Sequence, residues 1–515
     1  MRGLKGPLRH VFTVGSFTAL SRVLGLVREM LQSRLIGAGV EQSAFTLAFA
    51  IPNMARKLFG EGALTAAFVP VFRREVEREG IERAARLARA VVTMMMLMLG
   101  SVVVLAVVGL TAWEDFRPET GDVPRMALTL KLVKVLLPYM LAICGAAFGM
   151  GVLNALGRFK ASSFMPALLN IVWIATLAGL MLFTDLPPRS SILVVAGAIL
   201  VGGFLQLAFM FACMARVGVK PVPLFSGWRA DNVRLVWSNT AIAAIGAGAV
   251  QINYMLDQVL AQCAAPWAAG VIGYAERLMD LPLGVVGVAF GTVLLPTFSG
   301  LFAKGDLDGA KRALSSSFLN LMTVMVPSAV GMALLASDIT SVIYEGHAFD
   351  ATATVRVSRA LAVYALGLGF FGMQKTLIPW FQAQNDMKTP LKVSTATVVV
   401  NAVLNVLAVV FLPVEWRHVG LAASTVFCAY LGCVFLRVLA GRRNGCLRAP
   451  GTMRAMAGIV LSALAMGVAL VILKPHLAVL PRLASLGILV VAGMAVYAAA
   501  LLAFRRFSGV LRPGK

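Results

Sequence analysis

Long runs of apolar residues recur along the whole chain, and short polar segments separate them. Most runs reach or approach the ~20 residues that an α-helix needs to cross a bilayer core. They do not consist of short alternating segments, as the strands of a membrane β-barrel would. The pattern predicts fourteen spans, at 11–36, 44–72, 90–112, 127–156, 164–183, 191–215, 235–261, 271–300, 313–336, 360–383, 393–412, 419–436, 455–473 and 483–504.

Lys and Arg are distributed unevenly between the two sides that these spans define. The segments on the side of the N-terminus contain 29 of the 46 Lys and Arg residues, and those on the other side contain 8. Because positively charged loops stay in the cytoplasm, both termini and the loop 73–89 are predicted to be cytoplasmic, and the loop 113–126 periplasmic. The net charge of +23 is therefore read as a topology signal, and no nucleic-acid partner is expected.

A weak internal repeat divides the chain. The segment 63–72 (ALTAAFVPVF) aligns with 289–298 (AFGTVLLPTF), and 157–160 aligns with 385–388 at almost the same offset. We interpret this as two six-span lobes, arranged as the parallel repeats of many transporters. Chance similarity between proline-containing apolar helices is the alternative. The predicted organisation is an N-terminal lobe, a C-terminal lobe and two additional spans, at 1–222, 223–445 and 446–515.

Charged residues are concentrated in the first two spans. A charge at the centre of a membrane helix costs about 2.5–3.5 kcal/mol on insertion scales, so these side chains are expected to face one another or a hydrated cavity. The spacing pairs Arg22 with Glu29 and Lys57 with Glu61. A surplus of cations remains, and guanidinium groups suit phosphate because their fork binds two oxygens at once. The charged set is Arg22, Arg28, Glu29, Arg34, Arg56, Lys57 and Glu61.

Two further polar groups have two interpretations each. In span 8, Arg277 either forms an ion pair with Asp280 or, through the repeat, caps the cavity across from Arg56. Asp257 is the one charged residue of span 7. Together with amide and hydroxyl oxygens of spans 11 and 12 it forms either a Na⁺ or proton site or ordinary interhelical hydrogen bonds. The oxygens in question belong to Asn401, Asn405 and Thr425.

Sequence motifs typical of nucleotide-binding proteins and hydrolytic enzymes are absent from the sequence. No GxxxxGK[ST] or HExxH motif occurs, and no nucleophile–base set emerges. The pattern Gly367-x-Gly369-x-x-Gly372 lies inside an apolar span, where close helix packing explains it better than a dinucleotide site. The chain is therefore expected to be a transporter without a cofactor, and not an enzyme.

Several motifs resemble the MurJ/MviN family of lipid II flippases. In the first two spans, the resemblance rests on Ser21-Arg22-Val23-Leu24-Gly25, Pro52-Asn53, Arg56 and Glu61-Gly62-Ala63. Further along, it rests on Tyr274-Ala275-Glu276-Arg277-Leu278-Met279 and Asp386-x-Lys388-Thr389-Pro390. The resemblance covers essentially the whole chain. Some members have an acidic residue at the position of Ser43, so no gating role is transferred to this serine.

The resemblance implies an all-α polytopic fold of the MOP exporter superfamily, with about 14 transmembrane helices in two pseudo-symmetric six-helix lobes around a central cavity and two extra C-terminal helices. It implies lipid II as the cargo, flipped from the inner to the outer leaflet by alternating access. It assigns cargo binding to Arg22, Arg28, Arg56 and Arg277, with support or gating from Glu29, Asn53 and Glu61. It also suggests sodium binding by Asp257, Asn401, Asn405 and Thr425.

The expected setting is the bacterial inner membrane, crossed many times by a monomer surrounded by membrane lipids. Sodium or the membrane potential would drive transport, and the last two spans would form a groove for the lipid tail. The alternatives are an oligosaccharide-lipid flippase or a multidrug/ion antiporter of the same superfamily. An enzyme acting on lipid-linked sugars is a third, but it would need paired acidic residues that the loops do not offer.

Overall fold

The chain folds into long α-helices that succeed one another with short connections. The structure, a computed structural model, describes residues 5–60, 62–116, 123–228, 230–291, 293–445 and 451–508. Within these ranges the helices are α1 (Lys5–Ile36), α2 (Val40–Ala55), α3 (Ala63–Phe116), α4 (Val123–Ala155), α5 (Phe159–Phe183), α6 (Pro188–Arg216), α7 (Asp231–Ala264), α8 (Ala268–Gly291), α9 (Leu294–Ala303), α10 (Leu307–Leu334), α11 (Ala336–Tyr344), α12 (Ala351–Gln382), α13 (Lys388–Phe411), α14 (Val414–Asn444), α15 (Thr452–His476) and α16 (Arg482–Ser508).

Most predicted spans correspond to one helix, but three regions differ. Predicted span 2 is divided between α2, a π-helical turn and the start of α3, and predicted span 8 is divided between α8 and α9. The short helix α11 was not predicted. In the described part of the chain, ten helical stretches are long and apolar enough to cross a membrane, and one of them, Val40–Glu114, has 75 residues. The total of fourteen spans stays a prediction.

Three backbone features interrupt the regular α-helical hydrogen bonding of these stretches. Pro52 lies inside α2, where its missing N–H removes an intrahelical hydrogen bond. The chain then continues as a π-helical turn over Arg56–Gly60, a distortion that is frequent at functional sites. Gly80 breaks α3 with a φ of 80° and a ψ of 174°, a backbone conformation that favours glycine.

The helices form two compact units. Unit 1 contains Met1–Val259 and the turn Gly346–Phe349. In this unit α4 packs against α2, α3 and α6, and α1 packs against α5. Its core includes fully buried aromatic side chains such as Phe68 and Phe148, whose ring centroids lie 4.7 Å apart.

Unit 2 contains Leu260–Glu345 and Asp350–Lys515, and it therefore includes α15 and α16. Its central helix is α12, which packs against α8, α10 and α14. The boundary between the units lies within α7, after Val259. The organisation into two six-span lobes with two added spans stays a prediction.

Polar contacts attach α15 and α16 to α10 and α11. Lys474 pairs with Asp338 at 2.5 Å, and Arg482 pairs with Glu345 at 2.7 Å. The hydroxyl of Tyr497 donates a hydrogen bond to the carbonyl of Thr323 at 2.9 Å. The ion pairs are partly exposed and stabilise the unit only modestly, and they add to the packing of α15 against α10 and of α16 against α11.

Candidate functional site

Arg28 is held in a fixed position between α1 and α5 of unit 1. Its Nη1 donates a hydrogen bond to Oδ1 of Asn170 at 2.9 Å, and its guanidinium lies over the ring of Trp173 at 4.4 Å from the centroid. Asn170 in turn donates from Nδ2 to the carbonyl of Ser21 at 3.2 Å. Because Asn170 and Trp173 lie three residues apart on α5, they face the same side of that helix. The arginine thus has a preorganised geometry.

Aromatic side chains form the wall behind this arginine. The indole of Trp173 is 2% exposed, and it makes edge-to-face contacts with Phe45 and Phe49 at 5.7 and 5.6 Å. A cation over such a buried ring gains about 0.5–2 kcal/mol. The packing of α1, α2 and α5 residues therefore determines where the charge of Arg28 lies.

The ion pair of Glu29 differs from the predicted one. Its Oε1 lies 2.5 Å from Nη2 of Arg28, and not next to Arg22 as the seven-residue spacing suggested. Asn170 and Trp173 hold the guanidinium of Arg28 within reach of Glu29. Glu29 therefore pairs with Arg28 and not with Arg22. Arg22 is exposed, and it forms no hydrogen bond or ion pair with any other residue that the structure describes.

Arg56 lies four residues after Pro52, directly after the end of α2. It is the first residue of the π-helical turn, and its Nε and Nη2 donate to Oδ1 of Asn53 at 3.1 and 2.9 Å. Asn53 is a neutral partner, so this contact orients the guanidinium without cancelling its charge. Glu61, the predicted partner of Lys57, lies outside the described residues. Lys57 itself lies over the ring of Tyr254 at 5.0 Å.

The fourth predicted cargo arginine belongs to unit 2. Arg277 lies on α8 and is exposed. The neighbouring Glu276 is partly buried, and its Oε1 accepts a hydrogen bond from the hydroxyl of Tyr364 at 3.4 Å. Tyr364 is itself 2% exposed, so the carboxylate of Glu276 is fixed by the core of this unit.

The predicted cation ligands fall into two groups, one in each unit. In unit 1, Asp257 accepts a hydrogen bond at Oδ2 from Asn253, which lies one turn away, at 3.2 Å. In unit 2, the Nδ2 of Asn405 donates to Oδ1 of Asn401 at 3.1 Å, and both side chains are buried. In the described ranges, no group of three or more His, Cys, Asp or Glu side chains is arranged to hold a metal ion.

Ser424, which sequence reasoning did not consider, completes the asparagine cluster of unit 2. Its hydroxyl donates to Oδ1 of Asn405, and it accepts from Nδ2 of Asn401 at 3.4 Å. The adjacent Thr425 instead donates to the carbonyl of Leu421, at 3.1 Å. The three clustered side chains form hydrogen bonds with one another. Neutral oxygens of this kind can ligate a hard cation such as Na⁺, and a carboxylate among the ligands adds opposing charge.

The motif at 386–390 forms a helix cap. Oδ1 of Asp386 accepts a hydrogen bond from the backbone N–H of Thr389 at 2.9 Å, and Oδ2 accepts from the Thr389 hydroxyl at 2.7 Å. Arg443 of α14 approaches the same carboxylate at 3.0 Å. These hydrogen bonds, with the charge of Arg443, lower the pKa of Asp386. The motif therefore fixes the start of α13 against the end of α14.

A long apolar groove lies between α10, α15 and α16. It has a volume of about 450 Å³. Among the described residues, its wall consists mostly of aliphatic, methionine and proline side chains, and none of these lining residues is charged. Among the side chains that line it are Val324, Pro327, Met332, Met466, Leu470 and Met494.

Comparison with known proteins places the chain in a family. The family model described as "Lipid II flippase MurJ" matches residues 32–492. A probable lipid II flippase MurJ of Rhizobium tropici is 33% identical over 505 residues, which cover 95% of this chain and 93% of that protein. The lipid II flippase MurJ of Burkholderia cenocepacia is 31% identical over 464 residues, covering 88% of each chain.

Solved structures agree at the level of the fold. A lipid II flippase MurJ in an inward closed conformation has a TM-score of 0.78 at 22% identity, with 96% of this chain and 98% of that chain covered. An inward-facing multidrug resistance MATE transporter of the MOP superfamily has a TM-score of 0.68 at 13% identity, with 84% and 98% covered. Because the family model spans most of the sequence and the relatives align over nearly their full lengths, the chain belongs to the MurJ lipid II flippase family.

Proposed function

We propose that this protein flips lipid II from the inner to the outer leaflet of the bacterial cytoplasmic membrane by alternating access. The family membership supports the cargo, because the relatives bear the name of lipid II flippases. The observation that carries the proposal is the position of Arg28, which α1 and α5 build into the fold with a hydrogen bond, an ion pair and an aromatic face. Such a fixed fork suits a phosphate.

The proposed cargo-binding residues are Arg22, Arg28, Arg56 and Arg277. Each contributes a guanidinium, and Asn53 and Glu29 orient two of them. Glu29 would compete with the pyrophosphate for Arg28, so release of Arg28 from Glu29 accompanies binding in this proposal. Drug exporters that favour cationic ligands need cavity carboxylates instead, and the arginines disfavour that alternative.

The groove between α10, α15 and α16 is proposed to hold the polyprenyl tail. Its described wall is mostly apolar and includes no charged residue. A hydrocarbon chain in it would remain in an environment like the bilayer, so only the headgroup would need a polar path. Transport of two phosphate charges out of a cytoplasm at negative potential is downhill by ~2.3 kcal/mol per charge per 100 mV.

A sodium ion is the proposed coupling ion, held by Asp257 with Asn401 and Asn405. Thr425 remains a member of this set, and Ser424, which hydrogen-bonds to Asn405, is added to it. We expect NaCl to raise the thermal unfolding midpoint of the purified protein relative to KCl. The Asp257→Asn protein should lose this response, and Asp185→Asn, which removes an exposed carboxylate elsewhere, should retain it. An equal response to NaCl and KCl in the unaltered protein would contradict the sodium site.

The function itself is tested by depleting the protein from a strain in which it is the sole flippase of this family. Lipid II should then accumulate and remain inaccessible to a probe added outside intact cells. Expression of the unaltered chain should restore both accessibility and growth. Normal outer-leaflet lipid II in depleted cells would refute the proposed cargo, while leaving the fold and the family unaffected.

A further inference from the structure

Arg359 of α12 and Trp416 of α14 meet at one end of unit 2. The guanidinium lies over the indole ring, 4.7 Å from the centroid, and the tryptophan is 48% exposed. The chain that carries both residues is described without a gap from 293 to 445. Among the residues that the structure describes, Arg359 has no hydrogen-bond or ion-pair partner. Its charge therefore lies against an accessible aromatic ring and not against a carboxylate.

The two carboxylates at the beginnings of these helices have other partners. Glu415 accepts a hydrogen bond from Nη2 of Arg356 at 3.1 Å, and Asp350 caps the first turn of α12. Arg417 donates to two backbone carbonyls, which do not neutralise its charge. Three arginines against two carboxylates leave one positive charge in excess at these helix ends. The contacts assign that excess to Arg359.

Both members of the pair border predicted membrane spans. Arg359 directly precedes the span 360–383, Trp416 lies shortly before the span 419–436, and both loops are on the side predicted to be periplasmic. Tryptophan is enriched at the interface between membrane and water, and an arginine near a helix end extends its charged group to that interface. The pair is therefore expected at the depth of the phosphate groups of the outer leaflet.

An apolar surface extends from this pair along both helices. On α12, Leu366 and Phe370 lie seven and eleven residues after Arg359, a spacing that places all three on one face. On α14, Phe427 and Tyr430 are 47% and 43% exposed, and the ring of Tyr430 contacts that of Phe370 at 5.3 Å. Phe370 lies about 16 Å from Arg359 along the helix, close to the ~15 Å of half a bilayer core. The surface therefore has the depth of one leaflet.

We propose that this surface binds one phospholipid of the outer leaflet. The phosphate accepts hydrogen bonds from the guanidinium of Arg359, which Trp416 holds in place. One acyl chain follows α12 and α14 as far as Phe370 and Tyr430. A guanidinium fork binds two phosphate oxygens at once, and the phosphate supplies the opposing charge that Glu415 gives to Arg356 instead. This inference does not depend on the identity of the cargo.

The site is tested with full-length protein in detergent, stripped of lipid and titrated with two probes. These are phosphatidylglycerol and a diacylglycerol that lacks the phosphate, each with a photoreactive group at the end of the same acyl chain. Phosphatidylglycerol should form cross-links in the peptides that contain Phe370 and Tyr430. It should bind about ten-fold more tightly than diacylglycerol, because one charge-assisted contact is gained. Equal binding of the two probes, or cross-links in other helices only, would refute the site.

Variants test the contact between Arg359 and the phosphate. Arg359→Gln should weaken phosphatidylglycerol binding about ten-fold. The matched control, Arg442→Gln, removes an exposed charge from the opposite end of α14 and should bind as the unaltered protein does. If Arg359→Gln does not fold, Val355→Glu replaces it, because Val355 is 44% exposed and a glutamate four residues before Arg359 pairs with it in competition with the phosphate. Unchanged phosphatidylglycerol binding in the folded variant would refute the site.

Competition identifies the source of the phosphate. Unlabelled phosphatidylglycerol should displace the probe, whereas glycerol 3-phosphate at the same concentration should not, because it lacks the acyl chain that packs along α12 and α14. Displacement by glycerol 3-phosphate as strong as that by the lipid would replace the proposal with a site for free phosphate. Displacement by lipid II at lower concentrations than phosphatidylglycerol requires would overturn it as well, since the surface would then receive the cargo.

Discussion

Asn170 accepts a hydrogen bond at Oδ1 from Nη1 of Arg28 at 2.9 Å, although 142 residues separate the two in the sequence. The amide also donates to the carbonyl of Ser21 on α1, so it connects α5 with α1 through both of its polar atoms. Asn170 is 6% exposed. A buried amide whose oxygen and nitrogen both form hydrogen bonds has a fixed orientation, so it holds the guanidinium in one position.

Replacement of Asn170 by alanine should therefore weaken cargo binding without removing a charge. The hydrogen bond to a charged donor contributes roughly 1.5–3 kcal/mol, and its loss allows Arg28 to leave its position over Trp173. Binding of lipid II to the purified protein is the measurement. Thr176→Ala, on the same helix, removes only a hydrogen bond to its own helix carbonyl at 3.0 Å and should bind normally.

The Asn170→Asp variant distinguishes the effect of the position of Arg28 on cargo binding from the effect of its charge. The carboxylate still accepts from Arg28, but it also neutralises the guanidinium in competition with the anionic cargo. Binding should then be weaker than in Asn170→Ala. If the aspartate variant bound the cargo more tightly than the alanine variant, the role of Arg28 as a phosphate ligand would be wrong.

Sequence patterns predicted the helices well because hydrophobic length is a local property. The charged residues of α1 were also evident from residue type. The breaks were harder to locate. Predicted span 8 continued through the position where α8 ends at Gly291 and α9 begins at Leu294, because both pieces are apolar. Only packing decides whether such a stretch is one helix or two.

The partners of polar side chains were less predictable. Asn401 and Asn405 share a face because they are one turn apart, and the structure joins them. Whether Ser424 or Thr425 meets them depends on the rotation of α14 about its axis, since successive residues differ by about 100°. In the same way, Glu29 pairs with Arg28 because Asn170 and Trp173 of a distant helix fix the guanidinium. The spacing of residues within α1 alone could not predict this ion pair.

The pH dependence of stability should include a contribution from Asp386. Hydrogen bonds from Thr389 lower the pKa of this carboxyl in the folded protein. Its stabilisation is therefore complete above the unfolded pKa of about 3.9 and is lost as the pH falls through the lower folded pKa. Between about pH 5 and pH 3, the thermal midpoint should fall more steeply for the unaltered protein than for Asp386→Asn.

A matched control for this measurement is Asp308→Asn. It removes an exposed carboxylate in the first turn of α10, where no equivalent pair of hydrogen bonds from a threonine exists among the described residues. Its pH profile should follow that of the unaltered protein. Identical profiles for Asp386→Asn and the unaltered protein would mean that the cap does not contribute to stability.

The orientation in the membrane can be tested with single cysteines in a variant whose six native cysteines are replaced. Arg78 and Asp185 are both exposed and lie in segments predicted to face opposite sides. In intact cells, a membrane-impermeant maleimide should label Asp185→Cys and spare Arg78→Cys until the membrane is permeabilised. The reverse labelling would overturn the predicted orientation, and equal labelling of both would overturn the span count between them.

Arg56 provides the sharpest test of the cargo site, because its charge and its geometry can be changed separately. Its guanidinium donates twice to Asn53 at the π-helical turn. Arg56→Lys retains the charge but loses the fork, so it should bind lipid II more weakly by about 1.5 kcal/mol, the lower value for a lost hydrogen bond to a charged group. Arg56→Ala loses both and should fail to support growth, although its abundance in the membrane should be normal.

The control for Arg56 is Arg73→Ala. Arg73 is exposed and donates from Nε to the carbonyl of Ala155 at 3.1 Å, in a segment outside the proposed cargo path. This variant also loses one positive charge from unit 1 and should leave transport intact. A normally abundant Arg56→Ala protein that sustains growth as well as Arg73→Ala does would remove Arg56 from the cargo site.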